Sequence, residues 1–156
     1  MHSCRLVYYS TYNISSPVND VAADLEHILA SAIRLNSESG LTGGLIFNRQ
    51  FFAQVLEGDR DAVMQTLARI HRDRRHKHIV VAGTKQVGER LFGEWSMGYA
   101  GNMESFKTIC AESGHAGQFD PTQMSGSHLT ALILALVTKE ANFASFPRVA
   151  GTLADA

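Results

Sequence analysis

Cysteine is scarce in this sequence, and the little there is carries no pattern. Cys4 and Cys110 lie far apart, in no CxxC or metal-type spacing, and read as ordinary small apolar side chains of a reducing compartment. An excess of one charge sign is missing too, because fourteen Lys and Arg against fifteen Asp and Glu leave a net charge of -1. A chain balanced in this way is not built chiefly to hold a phosphate backbone. No apolar run approaches the roughly 20 residues that span a bilayer. The opening MHSCRLVYYS has neither the basic nor the apolar region of a signal peptide. A cytoplasmic protein is expected, with no membrane and no nucleic acid among its partners. GxSxG, Walker and HExxH sequences are absent, as are repeats and low-complexity tracts. What is present is 156 residues, 45% hydrophobic and 19% charged, enough to bury one sizeable core.

Periodicity orders that core. RLVYYS (5–10) alternates as a strand, with Leu6 and Tyr8 on one side and Val7 and Tyr9 on the other. After the polar TYNISSPVN, the residues Val21, Leu25, Ile28, Leu29, Ala32 and Ile33 recur at helical spacing. They predict a helix from about Asp20 to about Leu35, closed by Asn36 and followed by a stop at Gly40. LTGGLIF (41–47) and FFAQVLE (51–57) are separated only by NRQ, which predicts an antiparallel hairpin, and Gly43 and Gly44 mark close packing. Past Gly58, Val63, Leu67 and Ile70 form one helical stripe, with Asp59 and Asp61 in the first turn. HIVVAG (78–83) and EWSMGYA (94–100) read as two further strands, the second with Trp95, Met97 and Tyr99 alternating.

The order β-α-β-β-α-β predicts an α+β fold, a ferredoxin-like sandwich over residues 1–100 that carries a fifth strand and two helices on one face. Residues 101–142 read as a C-terminal helical extension, with a weak helix near 103–112 and an apolar one at 127–140, packing on the open sheet face or on a partner. Residues 143–156 read as a flexible tail.

Gln54 raises the functional question. Both faces of FFAQVLEG are apolar except there, and a buried carboxamide without partners costs roughly 1–3 kcal/mol, so something must hydrogen-bond it. The histidines His71, His76 and His78 in RIHRDRRHKH (69–78) make a poor metal site, since no carboxylate or cysteine stands at zinc spacing and the intervening Lys and Arg would repel a cation. The same run falls where the second helix ends, and reads as a solvated helix terminus rather than a nucleic-acid patch. A hydrolase of acylphosphatase type could use Arg5 and Asn36 to hold an oxyanion, but only fold analogy suggests it. Tyr8, Gln54, Trp95 and Met97, all turned by the strand reading toward the helices, and Asn36 at the helix end are each explained singly by packing or capping. If Tyr8 and Gln54 merely bond each other, the chain is a ferredoxin-like interaction module without cofactor.

Taken together these residues resemble the BLUF family, the blue-light sensors that use flavin. The resemblance runs through LVYYS, LNSESGLTGGLIF, FFAQVLEG, IHRDRRHKHIVV and RLFGEWSMGYA in the family's order, with eighteen residues from Asn36 to Gln54 and forty-one from Gln54 to Trp95. It implies a bound flavin, FAD as the family expectation and FMN as the other choice, and a photoreceptor rather than an enzyme. Tyr8, Ile28, Asn36, Gln54, Arg69 and His76 would contact the flavin. The resemblance further implies that Tyr8 gives an electron and then a proton to the excited ring, and that Gln54 relays the proton and rearranges. Trp95 and Met97 would pass the signal along the fifth strand. The C-terminal helices would carry it to a separate protein partner or within a homo-oligomer. Two departures stand out: Tyr9 and Tyr12 lie near the photochemical Tyr8, and Leu35 occupies a place that is often polar in relatives.

Overall fold

Alternation along RLVYYS produces β1 (Ser3–Tyr12), the centre from which the sheet grows. In the computed structural model, which describes residues 3–13, 20–112 and 119–141, β1 lies between two antiparallel partners. Helix α1 (Val21–Ser39) begins where Asp20 accepts the Ala23 N–H and ends at Gly40, whose φ of 70° is left-handed and favours glycine. The N–H groups of Gly40 and Leu41 bond back to the carbonyls of Ser37 and Asn36. Gly40 therefore sets the terminus. The helix continues past Leu35 to Ser39, and Asn36 sits inside its last turn instead of closing it.

The predicted hairpin forms from β2 (Thr42–Phe47) and β3 (Phe51–Gly58), joined by a turn in which Asn48 Oδ1 accepts the Gln50 and Phe51 N–H groups. Helix α2 (Arg60–His71) starts on the Asp59 carboxylate, which accepts from Asp61 and Ala62. Strand β4 (His76–Val87) extends beyond HIVVAG at both ends. Its pairing with β1 slips at Val7/Tyr8 and at Tyr9/Thr11, and His78 adopts φ 53°. Such bulges break the period-two pattern, so the strand's true length is hidden in the sequence.

The fifth strand is much shorter than EWSMGYA. Only β5 (Gly98–Ala100) pairs, parallel to β2, giving the order β4-β1-β3-β2-β5, the ferredoxin-like four with one strand added. Trp95 and Met97 precede it in irregular chain, so strand alternation does not put them on one face. Met97 packs with Tyr8, Leu45 and Leu56 on the α1–α2 side, whereas Trp95 packs beside Phe92 on the other.

That other face is closed by α3 (Met103–Glu112) and α4 (Gly126–Ala141), with Leu129, Leu132, Ile133, Leu136 and Val137 buried along α4. The helical extension thus packs on the sheet. Residues 143–156, read as a tail, lie outside the described residues. Gly44 lets the Phe92 ring and Ile133 approach the backbone, since a Cβ there would stand 2.8 Å from the ring. Phe92 is fully buried. Phe92→Ala should cost about 3–5 kcal/mol in urea unfolding with an unchanged denaturant slope, and a loss below about 1 kcal/mol would show that the ring is not a wedge of the second core.

Candidate functional site

Between α1, α2 and the sheet lies a cavity of about 660 Å³. Period-two alternation turns Tyr8 of β1, Leu45 of β2 and Gln54 of β3 toward it, and the register sets Tyr8 directly opposite Gln54. From α1 come Ile28, Ala32 and Asn36, at helical spacing, and from α2 come Thr66, Arg69 and Ile70. His76 completes the floor. The six residues named from the sequence as cofactor contacts, Tyr8, Ile28, Asn36, Gln54, Arg69 and His76, therefore line one space. Met97 stands behind Gln54, and Trp95 does not reach the cavity.

The polar groups form a short chain. Tyr8 Oη donates to Gln54 Oε1, and Gln54 Nε2 donates to Met97 Sδ at 3.6 Å. Tyr8 is fully buried, and desolvation pushes its phenol well above the usual range, with Asp73 adding to the effect. Asn36 Nδ2 donates to the Ser96 carbonyl at 2.8 Å. Its Oδ1 is buried with no hydrogen-bond partner among the described residues. An orphaned acceptor beside a cavity is unusual, because most buried polar atoms are paired. It calls for a donor from something that enters.

The run at 69–78 is a solvated helix end in part, with His71, Arg72, Arg74 and His78 exposed, and it is also the rim of the cavity. The chain turns sharply after α2, and Arg69, Arg72, Asp73, Arg74, Arg75 and His76 all border the cavity. Asp73 grips Arg75 through two side-chain bonds of 2.8 and 2.7 Å and also accepts its backbone N–H. Burial alone would raise the Asp73 carboxyl, but the hydrogen bonds and charge of Arg75 hold it below its usual range. Arg75 also reaches His27 of α1 at 2.8 Å, tying the rim together. The sequence reading missed Asp73 and Arg75 as rim residues; the x-Asp-x-Arg spacing was the available signal, masked by the surrounding cations. The three histidines diverge: His76 Nδ1 lies 2.7 Å from Ser10 Oγ, and His71 bonds the Leu67 carbonyl. No group of three or more potential metal ligands occurs among the described residues.

Comparison with known proteins decides the family. The family model described as sensors of blue-light using FAD matches residues 4–98. This chain belongs to the BLUF family. Among solved structures, BlsA in its photo-activated state superposes with a TM-score of 0.77 at 29% identity, covering 86% of this chain and 94% of that one. The dark-state BLUF protein BlrB gives 0.71 at 25% identity, covering 86% and 96%. Among curated relatives, photoactivated adenylate cyclase subunit beta of Euglena gracilis is 35% identical over 75 residues, 47% of this chain and 9% of that protein. The chain thus spans only about a tenth of the curated relatives it matches. BLUF domains bind flavin and act as sensors rather than as enzymes. The cavity fits such a ring: Ile28, Ala32, Leu45 and Ile70 supply apolar walls, and the orphaned Asn36 Oδ1 suits the N–H on a flavin's polar edge. Among the described residues no helix is long and apolar enough to cross a membrane.

His76 should report on burial at this site. Desolvation lowers its pKa to about 4, while Asp73 pulls it up and Arg75 pushes it further down. Between about 4 and the unfolded value near 6.5, the unfolded chain binds a proton that the folded chain refuses, so stability is lost as pH falls through this window. His76→Gln should flatten the slope of stability against pH there, by at most about 1.4 kcal/mol per pH unit, in urea titrations. An unchanged slope would mean that His76 is not held neutral by the fold.

Proposed function

We propose that this chain is a blue-light photoreceptor in which the α1–α2 cavity holds a flavin, with Tyr8 and Gln54 as its photochemical pair. The observation that carries the reading is the chain of contacts from Tyr8 Oη through the Gln54 amide to Met97 Sδ, beside the unpaired Asn36 Oδ1. Asn36, Ile28, Arg69 and His76 would hold the ring, and the cations at 69–75 suit the phosphate of FAD, the family expectation, or of FMN. When bound, the flavin supplies a blue-absorbing ring that becomes a strong oxidant on excitation.

The protein's own part follows from the bonding. Tyr8, bonded to Gln54 Oε1, can give up an electron and release its hydroxyl proton along that bond. Its raised pKa keeps the proton on the phenol until the electron leaves. Gln54 presents an acceptor at one end and donors at the other, so rotation or tautomerisation of its amide exchanges what Tyr8 and Met97 meet. Met97 responds because its sulfur is a weak acceptor, suited to a bond that must be given up. Output then leaves by the segment before β5 toward α4, to a protein partner or a second copy of the chain. Trp95, lying on the α4 side, would sense the change from the far face. This route assigns the chain no catalysis of its own.

Absorption spectra before and just after blue light test the reading. The flavin-loaded protein should redden slightly and recover in the dark. Gln54→Leu and Tyr8→Phe should each keep the yellow colour and lose the shift; a normal red shift in Gln54→Leu would overturn the assignment. A protein that stays colourless after flavin reconstitution would leave the cofactor-free interaction module. Asn36→Ala should weaken flavin binding about tenfold in titration, the factor expected for roughly 1.4 kcal/mol from one lost buried hydrogen bond, and unchanged affinity would remove Asn36 from the contacts.

A further inference from the structure

The contact at the end of β5 is unlike the rest of the sheet. Glu140, in the last turn of α4, is 5% exposed. Its two carboxylate oxygens accept from consecutive main-chain amides, Oε1 from Gly101 at 3.2 Å and Oε2 from Asn102 at 3.0 Å. Among the described residues no Lys, Arg or His lies within ion-pair distance of it. Separating the carboxylate from these two amides would leave a buried charge without its donors, so the last turn of α4 stays tied to the end of β5 until a displacement of β5 opens that contact. One turn earlier on the same helix face, Val137 lies so near Gly98 that a Cβ there would stand 2.4 Å from its Cγ1. Helix α4 thus grips β5 at both ends.

The upstream anchor is of another kind. Glu57 accepts the Leu91 and Phe92 N–H groups at 2.9 and 2.8 Å, and is itself fixed by Arg5 Nε at 2.7 Å. Both acids hold the same stretch of chain, but Glu57 belongs to the centre of the sheet and Glu140 to a helix laid over it. Met97, bonded to Gln54, adjoins Gly98 between them. A change that begins at Met97 meets a rigid sheet contact on one side and a single helical turn on the other.

We propose that Glu140 is the positioning residue that carries a change at Met97 from β5 into the last turns of α4. The inference rests on the photoreceptor reading above. The full chain loaded with flavin would be compared with its Glu140→Ala and Glu140→Gln variants by absorption and by amide hydrogen exchange over residues 129–141, in the dark and under blue light. All three proteins should redden alike. In the unchanged protein, exchange at 136–141 should be about tenfold faster in the light, the factor expected when one hydrogen bond to a charged group opens. In Glu140→Ala, dark exchange should already be fast and the light effect should fall below about twofold, with Glu140→Gln between the two because it keeps one carbonyl acceptor. A full light effect on α4 in Glu140→Ala, or none in the unchanged protein, would overturn the proposal. Should Glu140→Ala fail to fold, the light effect in Glu140→Gln decides: a reduced effect supports the latch, and a full one refutes it. Failure of the unchanged protein to redden would remove the photoreceptor reading and the latch with it, and the spectrum distinguishes that outcome from a failure of the latch alone.

Discussion

A strand buried on both faces has no solvent available to hydrate a polar side chain, and from Phe52 to Gly58 every residue of β3 is buried. Two polar residues nevertheless stand in it, and alternation sends them to opposite sides. Gln54 faces α1 and α2, where Tyr8 and Met97 satisfy it. Glu57 faces the α4 side, where Arg5 and the amides of Leu91 and Phe92 satisfy it. Both sets of partners include the stretch between β4 and β5. One doubly buried strand thereby holds an irregular segment from two faces, at its start through Glu57 and near its end through Gln54.

Other contacts complete that hold without building a ladder. Gly43 N–H donates to the Trp95 carbonyl, and Asn36 Nδ2 donates to the Ser96 carbonyl. Asn36 thus spends its donor on the segment and leaves its acceptor for the cavity. A regular strand here would have exchanged cooperative main-chain pairs with β2 along its whole length. Individual side-chain bonds can be changed singly, and the weakest of them, to a thioether sulfur, is the one that touches Gln54. The break between β4 and β5 is therefore held by separate side-chain and main-chain bonds in a sheet that is otherwise held by ladders.

Local patterns made most of the fold legible. β1 and the β2–β3 hairpin follow from alternation, and α1 and α2 from 3.6-residue stripes with aspartates at their starts, because these signals arise within a few residues. The ends that were misplaced depend on partners far away. β4 is lengthened by bulges against β1, and EWSMGYA pairs as a strand only from Gly98, its earlier part meeting β2 through the single Gly43 N–H bond to Trp95 while the Asn36 side chain takes the Ser96 carbonyl. The Asn36 end of α1 was misread because Gly40, not the amide, caps the helix. At the site, Gln54 was legible as an anomaly in an apolar strand, whereas the rim was not. A cluster of cations after a helix looks solvated until the chain's turn places Asp73 and Arg75 over a cavity.

Three tyrosines close together in sequence raise the problem of which one could serve the cavity, and the fold separates them by simple means. Tyr9 is turned by alternation to the α4 face and packs against that core. Tyr12 points to the α1–α2 side, but its hydroxyl is spent on Asp24 at 2.8 Å, with its ring set edge-on to Phe47 and Phe52. Burial raises its pKa to about 12, helped by the Asp24 hydrogen bond and charge. Its proton is thus bonded to a carboxylate at the start of α1, away from any amide that could rearrange. Tyr8 alone both borders the cavity and donates to a group whose two ends differ. A carboxylate presents the same acceptor from either oxygen, so receiving a proton bond cannot reverse its polarity; a carboxamide can turn a donor to where an acceptor stood. In the proposed photoreceptor, the capacity to store a change would lie in that difference between the partners of Tyr12 and Tyr8.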